Sequence, residues 1–439
     1  MRKKILFLEN RYRTYAWQWM ADFLEKKGCE IYWIVQNHYF TPKGENIYVI
    51  PYPSDKDILN AKERGVPSDI FDYVSFIDRN LYIFGCKNTD YYYYYYNEIK
   101  DYILKVSPDL VIGECTQFYE LLAISICKQE EILYLHPCTC RYPVDRFSFY
   151  QYNTLTPYKG SGEEYPYEEA LQLANDIANR STQPSYMIIP PFSWKGWLED
   201  KKDKLIKSYC YLRGEHFCTP SIVKKKKKNQ QRDELVKKWE VLASSKQWEN
   251  RIQNKFVVMY PMQMQPEANL DVWGYPYRDQ TETIRKIAEQ LEEDEVLVVK
   301  PNPKAKYELT DELLTFLASR NNVLVVPLLT PMANVFEKTD LVVAVTGTIA
   351  MECIVSNKPV VTLAKTMNNQ QRNCPYLDDL MRLRPFIDMA KNGEYVKISD
   401  DERVAYINEL VRTSYQGSLY TISNDEGMEK ALIDIIQVD

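Results

Sequence analysis

Three stretches of this 439-residue chain place groups able to do chemistry at the ends of apolar runs. In the clearest, the apolar run 341–345 passes through Thr346, Gly347 and Thr348 directly into a helical pattern over 349–356. A glycine lets the backbone turn tightly and approach a ligand, while the two hydroxyls and the first-turn amides favour an anion such as a phosphate. Glu352 follows Thr348 by one helical turn and can face the same ligand, where a carboxylate accepts hydrogen bonds from a ribose diol; the alternative is a capped helix with a solvated Glu. The run ending at Lys300 continues as Pro301-Asn302-Pro303. Prolines fix that loop, Lys300 offers a point charge to phosphate and Asn302 a hydrogen bond to a base or sugar; otherwise this is a rigid surface loop. The run 256–260 leads to Gln263, Gln265 and Glu267, which offer donors and acceptors for sugar hydroxyls, and then to Trp273, Tyr275 and Tyr277, which either stack on a ligand or pack on the core.

The first third offers a different set. Gly113-Glu114 ends one apolar run and Asn10-Arg11 another, and Arg141 and Arg146 add guanidiniums suited to carboxylate or phosphate. A carboxylate at such a position serves as general base or as nucleophile toward an anomeric carbon, and buried salt bridges between Glu114 and these arginines are the competing arrangement. His136, Cys138 and Cys140 form the one cluster resembling metal ligands, and no second ligand pair accompanies it at zinc-site spacing. With three histidines in the chain, no metal centre is expected. The ten cysteines sit partly in apolar helical patterns, as at Cys127 and Cys353, which argues against a disulfide framework.

The elements that must position these groups are legible from periodicity. Short apolar runs at 4–8, 31–35, 110–112 and 132–135 alternate with helical patterns at 15–27, 99–106 and 118–128. The rhythm returns with strands at 256–260, 296–299, 323–326, 341–345 and 360–363, separated by helices. Such βαβ alternation predicts parallel sheets with helices on both faces. The expected class is α/β, with two Rossmann-like domains facing across a cleft: 1–225, a charged linker or helix 226–254, a second domain 255–390, and C-terminal helices 391–439 packing back on the first. Tyr91–Tyr96 reads as a partly buried connecting segment or as an aromatic wall for a glycan.

Composition excludes several classes. Hydrophobic residues make up 45% and charged residues 26%, an ordinary globular balance, and the net charge of −6 argues against nucleic-acid binding over the whole surface. No apolar run reaches the ~18 residues needed to span a bilayer, and the start reads as a first strand rather than a signal peptide, so a cytoplasmic protein is expected. There is no Walker-type phosphate loop, no dinucleotide fingerprint after the first strand and no nucleophile elbow. The five lysines Lys224–Lys228 are either a solvated linker or a site of attraction to anionic lipid at the inner face of the membrane.

Taken together, the segment Tyr260–Ala268, Asp279-Gln280, Val299–Pro303, and Thr346-Gly347-Thr348 with Glu352 and Lys358-Pro359 resembles the capsular polysaccharide biosynthesis glycosyltransferases. Arg141–Tyr150 is similar to an N-terminal segment of the same group, and the likeness covers about residues 100–150 and 255–365. That family includes Kdo transferases that use a CMP-activated sugar and adopt the two-domain GT-B fold. The resemblance implies that Lys300, Asn302, Pro303 and the stretch Thr346–Glu352 hold the nucleotide. Where the family carries His-Pro, this chain has Asn302-Pro303, which keeps a neutral hydrogen bond and cannot become cationic.

The expectation is a glycosyltransferase that moves a sugar from a CMP-Kdo-like or other nucleotide-activated donor to a capsule, lipopolysaccharide or other surface-glycan acceptor. Donor contacts fall to Lys300, Asn302, Pro303, Thr346, Gly347, Thr348, Glu352, Gln263 and Gln265. Acceptor or phosphate contacts fall to Arg11, Arg141, Arg146 and Trp273, and the catalytic carboxylate to Glu114 first and Glu267 second. Helix N-termini and Lys300 would meet the leaving-group charge, so neither metal nor cofactor is expected. The rival expectations are a nucleotide-sugar epimerase of the same shape and a non-catalytic glycan-binding or scaffold subunit.

Overall fold

The computed structural model describes residues 2–182, 193–419 and 426–437. Twelve strands occur among them: β1 Lys4–Leu8, β2 Glu30–Val35, β3 Asn46–Val49, β4 Leu110–Ile112, β5 Leu133–Thr139, β6 Arg146–Gln151, β7 Phe256–Pro261, β8 Glu295–Lys300, β9 Val323–Val325, β10 Leu341–Ala344, β11 Val360–Thr362 and β12 Tyr415–Gln416. The chain divides into two compact units. One comprises 1–163, 184–225 and 410–439, the other 164–183 and 226–409.

The first unit is built on a seven-stranded sheet of order β12-β6-β5-β4-β1-β2-β3. The five strands β5-β4-β1-β2-β3 are parallel; β6 runs antiparallel to β5, and β12, at the edge, antiparallel to β6. Ile5, Phe7, Leu110, Ile112 and Leu135 are fully or nearly fully buried on one face. That is why these strands read as continuous apolar runs, since a parallel sheet is covered on both sides. Met428, Leu432 and Ile435 of the helix Glu426–Ile436 close the same core.

Arg146 pins this C-terminal return. Its guanidinium is buried and donates to Ser414 Oγ at 2.8 Å, to the carbonyls of Ser414 and Val411 at 2.9 and 3.1 Å, and to Glu163 Oε2 at 3.0 Å. Five donors in a rigid fork suit such a convergence of carbonyls. The expectation that Arg146 meets an acceptor or phosphate is corrected here, because its donors are engaged inside the fold.

The second unit has a five-stranded, all-parallel sheet of order β11-β10-β7-β8-β9. Val258, Tyr260, Leu297, Val299, Val343 and Val345 form its buried face. The helix Ile222–Lys246 buries Leu235, Trp239 and Ala243, spaced by four, against that core, and Trp239 Nε1 donates to Val326 O at 2.9 Å. From Lys226 onward this helix is therefore a packed part of the second unit. The helix Tyr167–Ala178 also belongs there, packing on the helix Thr348–Ser356.

The tyrosine run is neither a connector nor an aromatic wall. Tyr91–Tyr96 opens the helix Tyr91–Val106, and all of it but Tyr93 is buried. The hydroxyls of Tyr91 and Tyr92 both donate to the buried Asp78.

Replacing Arg146 by Met leaves Glu163 and two buried carbonyls without their donor. The expected cost is about 2–4 kcal/mol. It should appear as a lowered thermal midpoint together with faster proteolysis within 410–437.

Candidate nucleotide corner and buried carboxylates

In a doubly wound parallel sheet, the first strand and the fourth lie side by side while their connections leave to opposite sides. The crevice beyond their carboxyl ends is where ligands bind. In the second unit that pair is β7 and β10, with Leu341 beside Val258 and Val342 beside Met259. Beyond β10 the chain runs through Thr346 and Gly347 into the helix Thr348–Ser356. Beyond β7 it runs through Met262 to Gln263.

Gly347 has φ +101° and ψ 176°, a region that only glycine occupies without strain. It is the N-cap of the helix and has no side chain of its own with which to cap the amides of the first turn. A Cβ on Gly347 would lie 3.2 Å from Gln263 Nε2, which itself donates to Thr346 O at 3.3 Å. The carboxamide of Gln280 holds the Gln263 backbone from both sides, accepting from its amide at 2.8 Å and donating to its carbonyl at 2.9 Å. Thr346 Oγ1 donates to Asn269 O at 3.1 Å, and Asn269 Nδ2 donates to Glu267 Oε1 at 2.9 Å. Gln263, Thr346, Gly347, Thr348 and Glu267 thus gather at one corner, with a helix N-terminus aimed into it.

Other residues expected at this corner have different work. Lys300 is buried, and its ammonium donates to Pro301 O at 2.9 Å and Leu328 O at 3.1 Å. Burial lowers its pKa to about 8, against the pull of Glu240. It ties two loops together rather than presenting a charge to phosphate. Gln265 is likewise internal: its amide nitrogen donates to Asp271 Oδ1 and Arg278 O, both at 3.1 Å, and its Oε1 accepts from Gln280. Asn302 Oδ1 accepts from the Lys304 amide at 2.9 Å, shaping the turn beside the exposed Pro303. Trp273 is half-buried, just after the short helix Ala268–Asp271.

Glu352 is buried and carries an ion pair to Arg180 at 2.8 Å, with the guanidinium carbon of Arg180 5.1 Å from the Phe336 ring centroid. A ribose diol would have to share that carboxylate. Arg180 is the residue sequence reasoning missed: it lies 172 positions before Glu352, just after the helix Tyr167–Ala178, and no local signal joins the two.

In the first unit the equivalent pair is β1 and β4. A Cβ on Gly113 would run into the Tyr134 hydroxyl, which donates to Glu114 O and so fixes the turn after β4. Glu114 pairs with Arg13 at 3.0 Å, and burial raises its pKa against the fields of Arg13 and Arg79. Two further carboxylates are buried here. Glu9 accepts from the amides of Arg11, Gln36 and Asn37, and Glu120 from Asn10 Nδ2 and the amides of Thr116 and Gln117. Arg11 turns one guanidinium nitrogen back into the fold, donating to Cys218 O at 2.8 Å and Thr219 Oγ1 at 2.7 Å with Glu215 3.7 Å away. Arg141 is half-buried beyond β5.

The ring of His136 is buried, with Nδ1 2.7 Å from Tyr152 O, and burial lowers its pKa to about 4. Among the described residues, the one group of acidic, His or Cys side chains close enough to share an ion is Glu292, Asp294 and Glu295. Lys391 Nζ lies 2.8 Å from Asp294 and 3.1 Å from Glu295. None of the ten cysteines forms a disulfide. No helix among the described residues is long and apolar enough to cross a membrane.

No protein-family model matches the chain. No curated protein matches it either. Among solved structures it is similar to KpsC, the β-Kdo 2,7 transferase of Thermosulfurimonas dismutans, over 99% of this chain and 100% of that one, at 11% identity and a TM-score of 0.38. It is similar to UDP-GlcNAc 2-epimerase of Methanocaldococcus jannaschii in complex with UDP-GlcNAc and UDP, over 93% and 99%, at 13% identity and a TM-score of 0.28. The calicheamicin glycosyltransferase CalG4 is similar over 99% and 97%, at 12% identity and a TM-score of 0.29. At scores this low the likenesses carry no argument about this chain, whose own geometry has to supply it.

Burial raises Glu9 from its ordinary 4.5 to about 7, and burial together with the neighbouring Glu114 raises Glu120 to about 8. The folded state then holds more protons than the unfolded one between pH 4.5 and about 8, so stability is greatest at the acid end and declines as pH rises through that window. Urea unfolding from pH 5 to 8 should show this decline, and Glu9→Gln should flatten the part of it below about pH 7.

Proposed function

We propose that the second unit binds the nucleotide of an activated sugar at the Gly347 corner and that the protein is a glycosyltransferase acting on a glycan or glycolipid acceptor held by the first unit. The observation that carries the reading is the glycine-only turn at the β7/β10 switch point, with Gln263 against it and a helix N-terminus opening onto it. Backbone amides at a helix start favour a diphosphate or monophosphate without requiring a lysine. This suits a corner whose nearest expected cation, Lys300, is engaged elsewhere. The likeness of the Thr346–Glu352 and Tyr260–Ala268 segments to capsule-type transferases supports the same assignment.

Asn302 and Pro303 fit at the margin, where they shape the loop beyond β8. Gln263 supplies an amide for the phosphates or the sugar, and Glu267, linked to Thr346 through Asn269, stands as the second carboxylate. Glu114 is the first choice for catalysis. It sits at the first unit's switch point, it is buried with a raised pKa, and Arg13 orients it. A carboxylate so placed can take the proton of an acceptor hydroxyl as the bond to the anomeric carbon forms. Positive charge at the helix start of the second unit would stabilise the departing nucleotide.

Calorimetry with CMP, CDP, UDP and GDP tests the nucleotide site. At least one should bind, and Gly347→Ala should weaken it by about tenfold or more, because the new Cβ meets Gln263 in a strained backbone region. Binding of none, or binding unchanged by Gly347→Ala, would remove the proposal. Glu114→Gln should leave nucleotide affinity intact and lower glycosyl transfer by about 10²–10⁴-fold. A product formed from nucleotide sugar without any acceptor would instead favour an epimerase.

A further inference from the structure

The helix Trp194–Leu212 of the first unit carries its apolar side chains on the wrong face for a soluble protein. Trp194, Leu198, Leu205 and Leu212 follow one another at intervals of four, seven and seven residues, which puts them on a single stripe. They are 72%, 60%, 72% and 82% exposed. The opposite side is the packed one: Cys210 is buried, and Asp203 pairs with Lys207 and accepts from the Tyr12 hydroxyl.

Charge is segregated around that stripe. At 3.6 residues per turn, Lys195 and Lys202 fall on one flank and Lys201 and Lys204 on the other. All four are exposed. Lys201 Nζ lies 5.1 Å from the Trp197 ring centroid, and Trp197 is itself 6.0 Å from Trp194 in an edge contact. The three acidic residues Glu199, Asp200 and Asp203 lie more than a quarter-turn from the stripe, toward the packed side. The next helix, Ile222–Lys246, begins with exposed Ile222 and Val223 and then the five lysines, and Lys204 and Lys207 are close enough to act electrostatically on Lys225.

We infer that this face lies on an anionic lipid bilayer, with the Trp/Leu stripe in the headgroup–acyl boundary and the lysines on lipid phosphates. An outward apolar stripe bordered by cations, with its anions turned away, is the arrangement an interfacial helix requires. A second copy of the chain would set lysine against lysine. A glycan would find three aliphatic leucines where stacking needs rings, and a nucleic-acid backbone would leave those leucines without a partner.

The test is co-sedimentation with phosphatidylcholine vesicles with and without about 30 mol% phosphatidylglycerol, run beside sedimentation velocity in the absence of lipid. The full chain should bind the anionic vesicles at least about tenfold more tightly than the neutral ones, and less tightly as salt rises. The exposed triple variant Leu198→Gln/Leu205→Gln/Leu212→Gln, with unchanged circular dichroism, should lose about tenfold or more. The variant Lys195→Gln/Lys201→Gln/Lys202→Gln/Lys204→Gln should lose the preference for anionic lipid. Absence of vesicle binding, equal binding by the leucine variant, or a dimer that the leucine variant disperses would each overturn the inference. Neither nucleotide nor turnover enters the readout, so a failed nucleotide titration and a failed sedimentation are told apart.

Discussion

One backbone position constrains the whole of the second unit's candidate site. Gly347 must turn the chain from β10 into the helix Thr348–Ser356 in a conformation that a side chain would strain, and it must do so with Gln263 close enough to touch a Cβ. The strand order makes this turn matter. Because β10 lies directly beside β7, the ends of these strands converge, and the loop after β7 is brought against the glycine. Gln280 holds that loop by its backbone, Thr346 and Asn269 hold the neighbouring one, and Lys300 ties the loop after β8 to Leu328. The polar side chains around the corner are mostly scaffolding, and the corner itself is left to backbone amides.

The first unit solves its equivalent problem with charge. Its β1/β4 switch point collects Glu9, Glu114 and Glu120 within the fold, and only Glu114 has a guanidinium on it at ion-pair distance, from Arg13, among the ion pairs described. Amides hold the other two and favour their charged forms, but burial outweighs that pull and raises both pKa values. Such a set of carboxylates with unequal environments is the kind from which an acid or a base is drawn.

The fold was largely legible because buried parallel strands announce themselves. β1 and β4 stand where the apolar runs put them, residue for residue, and β10 and β11 end one residue early. The edge strands β3 and β12 and the antiparallel β6 between β12 and β5 were not legible, being short or rich in polar and aromatic residues. Among site residues, the type of side chain was readable and its partner was not. Lys300 stands at the end of a strand, as expected, and Arg11 follows the first strand, yet these two and Arg146 turn donors onto carbonyls far away in the chain that no local pattern reveals. Gly347 was readable because the constraint on it is local: a strand, a turn of small residues and a helix with nothing between. Glu352 was readable in position but not in pairing, since Arg180 arrives from another part of the chain.

Hydrogen–deuterium exchange of the full chain with and without saturating nucleotide tests the central claim most directly. The account predicts slowed exchange in two short stretches, the amides of 346–351 at the helix start and those of 262–265 beyond β7, with the far ends of the same strands unchanged. Protection elsewhere, with both stretches unaffected while nucleotide is bound, would contradict it.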